Sequence, residues 1–413
     1  MKTRSPHLRS YAVVTASYWA FTLTDGALRM LVLLHFHTLG YSPFQLAALF
    51  LLYELFGAFT NLVGGWIGAR TGLRLLLFTG LGLQIVALLA LSGLSTEWHQ
   101  AAQVAYVVAA QGLAGIAKDL TKLGAKSSLK VLVPEDAKGR LFKWVALLTG
   151  SKNTLKGVGF FVGGALLATL GFVFALWAMA GALAVAAIVA AVMLPGDLGR
   201  AKAKVKLSRV FAKSRVINLL SAARMLLFGA RDVWFAVALP VFLYDVAGWS
   251  FTLVGTYMAA WVIGYGGVQA LTPRLLERGG AAQNHGRSAQ IWAFSLAAIP
   301  AAIVVSLAAG SPPTLTVVAG LAVFGVAFAV NSAVHSYLIL AYGDADTISL
   351  DVGFYYMANA AGRLLGTILS GLVYQLTGLV GCLLVASLFV AGAGLFALYF
   401  PDTRGQAEPA PVS

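Results

Sequence analysis

The sequence predicts an all-α integral membrane protein, with twelve transmembrane helices arranged as two pseudo-symmetric six-helix bundles. Three observations predict it. Hydrophobic residues make up 59% of the 413-residue chain and charged residues only 11%, where a soluble domain carries roughly 25% charged residues. Apolar stretches recur from end to end at the length a bilayer requires, roughly 20 helical residues for a core of about 30 Å. Lys and Arg gather at alternate ends of those stretches. With a mean hydropathy of +0.83, this composition excludes a soluble enzyme, a nucleic-acid binder and a secreted disulfide scaffold. The single cysteine, Cys382, permits no intrachain disulfide and no paired-thiolate metal site.

Turn signals divide the chain into spans at about 11–36, 43–68, 73–95, 101–126, 142–168, 171–194, 217–243, 250–272, 289–309, 314–340, 352–376 and 378–400. The punctuation is Gly40-Tyr41-Ser42-Pro43, Pro134, Pro195-Gly196, Gly248-Trp249-Ser250, Pro273, Gly310-Ser311-Pro312-Pro313 and Thr377-Gly378. The first span is too long, and too polar in its middle, for a cleaved signal peptide.

Orientation follows from the basic residues. Twenty of the 29 Lys and Arg lie before span 1, at the connections 2–3, 4–5, 6–7 and 8–9, or in the tail. All of these fall on one side, and the opposite connections carry none. Both termini are therefore expected in the cytoplasm, in a multi-pass protein of the inner membrane. The 10–11 connection holds Asp344, Asp346 and Asp351 with no Lys or Arg, and acidic residues contribute little to the rule. The domain expectation is an N-terminal bundle over 1–196, a basic cytoplasmic linker over 197–216, a C-terminal bundle over 217–400 and a tail over 401–413. A faint internal repeat supports it: Gly40-Tyr41-Ser42-Pro43-Phe44 resembles Gly248-Trp249-Ser250-Phe251, each preceded by a span with a central aspartate, Asp25 or Asp232.

Nine basic residues remain inside the spans: Arg29, Lys118, Lys122, Lys126, Lys152, Lys156, Arg224, Arg231 and Arg363. The acids there are Asp25, Glu54, Asp119 and Asp232, which leaves an embedded net charge of +5. Each Arg or Lys at a helix centre costs about 3 kcal/mol on insertion scales, so these side chains should face a protein-lined aqueous cavity or a partner. Lys118, Lys122 and Lys126 are four apart and share a face of span 4, as Lys152 and Lys156 do on span 5. Asp25 and Arg29 form an i,i+4 pair, and Asp119 reaches Lys122 at i,i+3. Arg231 and Asp232 are adjacent and should point in different directions. Structural ion pairs and snorkelling ends are the alternative reading of these charges, and for Lys126 and Asp25–Arg29 it weighs equally with a role at the cavity. Four acids do not neutralise nine bases, however, and a multiply charged anionic substrate would supply the counter-charge.

Tyr18, Thr22, Thr24, Thr121, Asn153, Thr154, Asn331, His335 and Asn359 extend the polar lining. Each is also explained by a hydrogen bond between packed helices. His35 and His37 are two apart and diverge, which argues against a metal site. Gly64/Gly68, Gly159/Gly163 and Gly362/Gly366 have the spacing of close helix contacts. No catalytic set, metal-ligand motif, cofactor motif or phosphate-binding Gly-rich loop stands out, so neither an enzyme nor an ATP-driven pump is expected.

Twelve spans split six and six at a basic loop resemble the major facilitator superfamily. Gly65-Trp66-Ile67-Gly68-Ala69-Arg70-Thr71-Gly72-Leu73-Arg74 resembles that superfamily's signature between spans 2 and 3, with Ala69 where an aspartate is usual. Gly159-Phe160-Phe161-Val162-Gly163-Gly164 partly resembles its antiporter motif, with Phe160 in place of proline. More specifically, Tyr18 to Met30, Gly115 to Leu120, Ala125 to Lys130, Leu148 to Asn153, Lys156 to Gly159 and Ser221 to Trp234 resemble organoarsenical efflux permeases of the ArsJ type. That resemblance implies export of 1-arseno-3-phosphoglycerate, made when glyceraldehyde-3-phosphate dehydrogenase uses arsenate in place of phosphate. Such an ester carries roughly three to four negative charges near neutral pH, which complements the embedded surplus. A lone cysteine suits oxyanion arsenic better than the trivalent form, which favours clustered thiolates.

The expectation is thus an alternating-access exporter with a cavity between its halves, lined by spans 1, 4, 7 and 10 as the superfamily resemblance implies. Arg29, Lys118, Lys122, Arg224 and Arg231 are the first candidate substrate contacts, followed by Lys152, Lys156 and Arg363. Glu54 has no base three or four residues away on its own helix and is a candidate proton carrier. Asp25, Asp119 and Asp232 serve coupling or charge pairing. An antiporter of phosphorylated metabolites, or a membrane anion receptor that does not transport, would use the same charges.

Overall fold

The predicted spans form as helices because each is a run of apolar residues bounded by a turn signal. The computed structural model describes residues 6–60, 73–95, 97–132, 138–194, 214–278, 285–342 and 348–401. Their order is α1 Pro6–Thr38, α2 Pro43–Leu49, α3 over 51–60, α4 Leu73–Ser92, α5 Gln100–Leu132 and α6 Lys138–Met193. Then come α7 Arg215–Phe235, α8 Ala238–Asp245, α9 Phe251–Arg278, α10 His285–Ala308, α11 Pro313–Tyr342 and α12 Ile348–Ala397. Among the described residues, eight segments are long and apolar enough to cross a bilayer, two of them at 43 and 45 residues long enough to cross twice. The chain is an all-helical, multi-pass integral membrane protein. The signature around Arg70, the Gly64/Gly68 pair and most of the 197–216 linker lie outside the described residues.

Glycine makes the turns on one side of the span pattern. Gly40, Gly171, Gly248, Gly310 and Gly378 all have positive φ, between 67° and 85°, a conformation costly to residues with a Cβ. They follow spans 1, 5, 7, 9 and 11, five of the six connections on the side that carries no Lys or Arg. Gly171 and Gly378 are sharp enough to join two spans within α6 and α12.

Two spans are interrupted: span 2 at Phe50, between α2 and α3, and span 7 more sharply. Span 7 is a broken helix, α7 and α8, with Val237 at φ −132° between them. Pro240 explains the break: it has no N–H for the Ala236 carbonyl, and its ring crowds the preceding turn. Ser370 Oγ accepts from the freed N–H groups of Val237 and Ala238, both at 3.1 Å.

Contacts divide the chain into two compact units. The first comprises Met1–His35, Leu52–Leu207 and Phe251–Ala259; the second comprises Phe36–Leu51, Ser208–Ser250 and Ala260–Ser413. In the first, Val14, Tyr18 and Phe21 of α1 form a core with Leu77 and Leu81 of α4, Ala117 of α5 and Leu183 of α6. In the second, Trp234, Trp261, Phe324 and Phe328 stack edge to face or ring on ring.

The same glycine crossing occurs in each unit. A Cβ on Gly159 would sit 2.5 Å from the Leu23 carbonyl and 3.0 Å from Gly26 Cα, drawing α6 against α1. A Cβ on Gly366 would sit 2.5 Å from the Gly229 carbonyl, and one on Gly362 would run into the Met225 carbonyl, drawing α12 against α7. Small residues let helix backbones approach this closely. These crossings hold the charged faces of α1 and α7 beside α6 and α12.

Candidate functional site

The span charges collect in two clusters, one in each unit. In the first unit, α1 contributes Asp25 and Arg29, α3 contributes Tyr53 and Glu54, α5 contributes Lys118, Asp119 and Lys122, and α6 contributes Lys152 and Lys156. Glu54 is 1% exposed and accepts a hydrogen bond from Arg29 Nη1 at 2.8 Å, with Lys118 Nζ at 4.0 Å. Asp25 accepts from the Tyr53 hydroxyl at 2.6 Å. Asp119 holds Lys122 by a short contact and Lys118 at 3.8 Å, and Lys152 lies near enough to act on it electrostatically. The Lys118 ammonium lies 4.0 Å from the Tyr53 ring centre, and Lys156 lies 5.7 Å from that of Phe160.

Gly57 makes room for this network. A Cβ there would stand 2.8 Å from Asp119 Oδ2 and 3.1 Å from Lys118 Nζ.

In the second unit, α7 contributes Arg224, Arg231 and Asp232, and α12 contributes Arg363. Asp232 is 2% exposed and accepts from Arg231 Nε at 2.6 Å and from Arg363 Nε at 3.3 Å. Phe228, Phe235 and Phe328 surround the Arg231 guanidinium at 5.1, 5.8 and 5.7 Å. Arg224 binds no carboxylate among the described residues; its Nη1 donates to the backbone oxygen and the Oγ of Ser332, both at 3.1 Å.

One expectation changes, and two gain tertiary partners. Arg231 and Asp232 do not diverge: successive helical positions are 100° apart, but the long arginine stem folds back to the short neighbouring carboxylate. Asp25 and Arg29, an i,i+4 pair by spacing, also have tertiary partners, Tyr53 for Asp25 and Glu54 for Arg29. Glu54, with no base at i±3 or i±4, finds Arg29 and Lys118 on two other helices. The expected Asp119–Lys122 pair is present. The Lys126 side chain lies outside the described residues. His35 stacks on Phe172 at 4.0 Å, whereas His37 Nε2 bonds Asp245 Oδ1 at 2.8 Å.

By charge, the described cluster of the first unit sets Arg29, Lys118, Lys122, Lys152 and Lys156 against Asp25, Glu54 and Asp119. That of the second sets Arg224, Arg231 and Arg363 against Asp232. Each described cluster keeps a surplus of two positive charges, and Lys126 adds one more to the spans of the first unit. The arrangement suits the binding of an anion more than acid–base chemistry, because most carboxylates are already held by cations.

Comparison with known proteins decides the family. The description of the Major Facilitator Superfamily matches residues 13–347. The chain belongs to the major facilitator superfamily. It is thus a membrane transporter, of a superfamily whose members are generally carriers without catalytic activity.

Solved structures of other superfamily transporters share its fold. One is a POT family transporter in complex with 5-aminolevulinic acid, with a TM-score of 0.75 at 11% identity, covering 95% of this chain and 96% of that one. A nucleoside transporter gives 0.72 at 16% identity, covering 96% and 99%. A bacterial homologue of the iron transporter ferroportin, in an inward-facing state, gives 0.71 at 16% identity, covering 95% and 98%. At these identities the likeness is one of fold. No curated protein sequence matches the chain.

Sequence reasoning missed Tyr53, Gly57, Phe228, Ser332 and Tyr355, which touch or make room for the charges. Tyr53 and Glu54 adjoin in an otherwise apolar span, and that adjacency was the available signal. Ser332 carried none, since a lone serine in a span is usually a packing residue.

Proposed function

We propose that this superfamily transporter exports a small, multiply charged organic anion, and that the anion is the organoarsenical 1-arseno-3-phosphoglycerate. The observation that carries the anion class is the surplus of two embedded positive charges in each described cluster. Buried cations need counter-charge, and a substrate with three to four negative charges supplies it transiently. The organoarsenical identity rests on the ArsJ-type resemblance along α1, α5, α6 and α7. In this proposal the protein lies in the inner membrane with both termini cytoplasmic, confers arsenate resistance, and works alongside a glyceraldehyde-3-phosphate dehydrogenase that makes the substrate.

Arg29, Lys118, Lys122, Arg224 and Arg231 bind the anion in this account, with Lys152, Lys156 and Arg363 behind them. In the empty carrier Glu54, Asp119 and Asp232 neutralise part of the charge; when substrate arrives its oxygens take over the same donors.

The test is transport in everted vesicles, with the substrate generated in place by the dehydrogenase from glyceraldehyde 3-phosphate and arsenate. Lys122→Ala and Arg231→Ala should each abolish uptake while inserting into the membrane normally; uptake at the wild-type rate in both variants overturns the anion site. Strong competition by 3-phosphoglycerate or inorganic phosphate, without dependence on arsenate, would instead favour an antiporter of phosphorylated metabolites. Proton antiport through Glu54 is tested by imposing a pH gradient. Glu54→Gln should remove the gradient dependence, and a variant that keeps it in full overturns that role for Glu54, leaving Asp25 and Asp232.

A further inference from the structure

We propose that Arg224 and the polar face of α11 beside it form a binding site, inside the second unit, for the tetrahedral head of a phosphoryl- or arsenyl-class oxyanion. The site rests on the anion-carrier function proposed above and gives it a specific anchor.

Arg224 is 4% exposed. Among the described residues its guanidinium bonds only through Nη1, to Ser332, and its Nε has no partner. Arg29, Arg231 and Arg363 each meet a carboxylate, and Arg224 meets none among the described residues. The rings of Phe228 and Tyr355 lie 4.0 and 5.0 Å from it. An aromatic flank holds the planar group in place and attracts its charge, but it does not neutralise it.

The neighbouring residues of α11 are also unsatisfied. His335, one turn beyond Ser332, is fully buried with neither ring nitrogen bonded. Asn331, one turn before His335, is fully buried with both amide atoms unbonded. The Arg224 charge reaches His335 electrostatically, and the Tyr265 hydroxyl stands 3.3 Å from Ser332 Oγ. Buried polar atoms are bonded in the large majority of cases. A guanidinium, an imidazole and a carboxamide all left open within about two helical turns therefore mark a place for a polar ligand.

Stereochemistry selects its class. With Nη1 engaged, the edge of the guanidinium that carries Nε is open, and such an edge takes two oxygens of one anion side by side. A carboxylate has only two oxygens and would leave the α11 groups unpaired. A tetrahedral phosphoryl or arsenyl head has further oxygens for His335 and Asn331.

The experiment is thermal unfolding of the full chain in lipid nanodiscs, with inorganic phosphate, arsenate and acetate as probes at matched ionic strength. Phosphate and arsenate should raise the melting temperature in a saturable way, and acetate should not. Arg224→Lys keeps the charge but loses the planar fork, and should weaken the phosphate response at least about tenfold. Ser332→Asp places a carboxylate where Nη1 now donates, and should abolish the response. His335→Phe preserves the charge and a ring, and should weaken it by a smaller factor.

Wild-type responses in Arg224→Lys and His335→Phe would overturn the site, as would stabilisation by acetate equal to that by phosphate. A chain that protects cells from arsenate but shows no Arg224-dependent phosphate response overturns this site and leaves the exporter function standing. A chain with that response and no arsenate protection upholds the site and overturns the organoarsenical substrate.

Discussion

The charged clusters of the two units meet the same burial problem with different side chains. The first relies on lysines: Lys118 lies near both Glu54 and Asp119, Asp119 also holds Lys122, and Lys152 acts on it as well. The second relies on arginines set among aromatic rings, with one carboxylate, Asp232, serving Arg231 and Arg363 while Arg224 meets none among the described residues. Lysine is a flexible point charge that can change partners, whereas arginine is a rigid planar donor. The first cluster thus has redundant partners, and the second shares one acid between two arginines among the described residues. That difference orders the effects of substitution.

The largest expected effect is in the second unit. Asp232→Asn leaves two half-buried guanidiniums without their carboxylate, and breaking a buried pair in this way costs about 3–5 kcal/mol. Asp119→Asn should cost less, about 1–3 kcal/mol, because Lys118 still has Glu54 nearby. Equilibrium unfolding of both variants in the same lipid measures the contrast; equal losses would show that the two clusters are alike.

Next comes packing. Gly362→Ala drives a methyl group into the Met225 carbonyl at the α7–α12 crossing, and overpacking of this kind costs about 1–3 kcal/mol. Gly159→Ala should cost a similar amount at the α1–α6 crossing, since both crossings use the same device. Gly267→Ala, with nothing within 4 Å of its Cβ, should be close to neutral. A crossing that accepts alanine without loss would break the proposed likeness between the units.

Ser370→Ala removes the acceptor for two backbone N–H groups at the α7–α8 break. The expected loss is about 1–3 kcal/mol, with faster hydrogen exchange at Val237 and Ala238. Exchange unchanged at both amides would show that the break is held by something else. The smallest of the expected losses is at the turns, where Gly171→Ala and Gly378→Ala should each cost about 1–2 kcal/mol for a Cβ at positive φ. Melting temperatures should show the two variants equally affected, since their turns have nearly the same geometry.

The helices were legible in the sequence because hydrophobic periodicity and turn residues act locally. The positive-φ glycines at 40, 248, 310 and 378 all lie within turn signals read from sequence alone; Gly171 opens the sixth predicted span. The break in span 7 was written in Pro240, whose effect on the preceding turn is local too. The charges were legible as residues but not as partners. Helical spacing gave Asp119–Lys122 correctly, since both sit on one helix. It failed for Glu54, whose cations come from α1 and α5, and for Arg231, whose reach exceeds the angular step between neighbours. Pairing across helices depends on which faces meet, and a single sequence does not encode that in spacing.

The most direct test of the central claim, that the surplus embedded charge serves export of an organoarsenical anion, is growth in arsenate of sensitive cells expressing this chain with and without the partner dehydrogenase. The account predicts protection only when both are present, lost on Arg224→Lys despite normal insertion. Protection by the chain alone, or none with both, would contradict it.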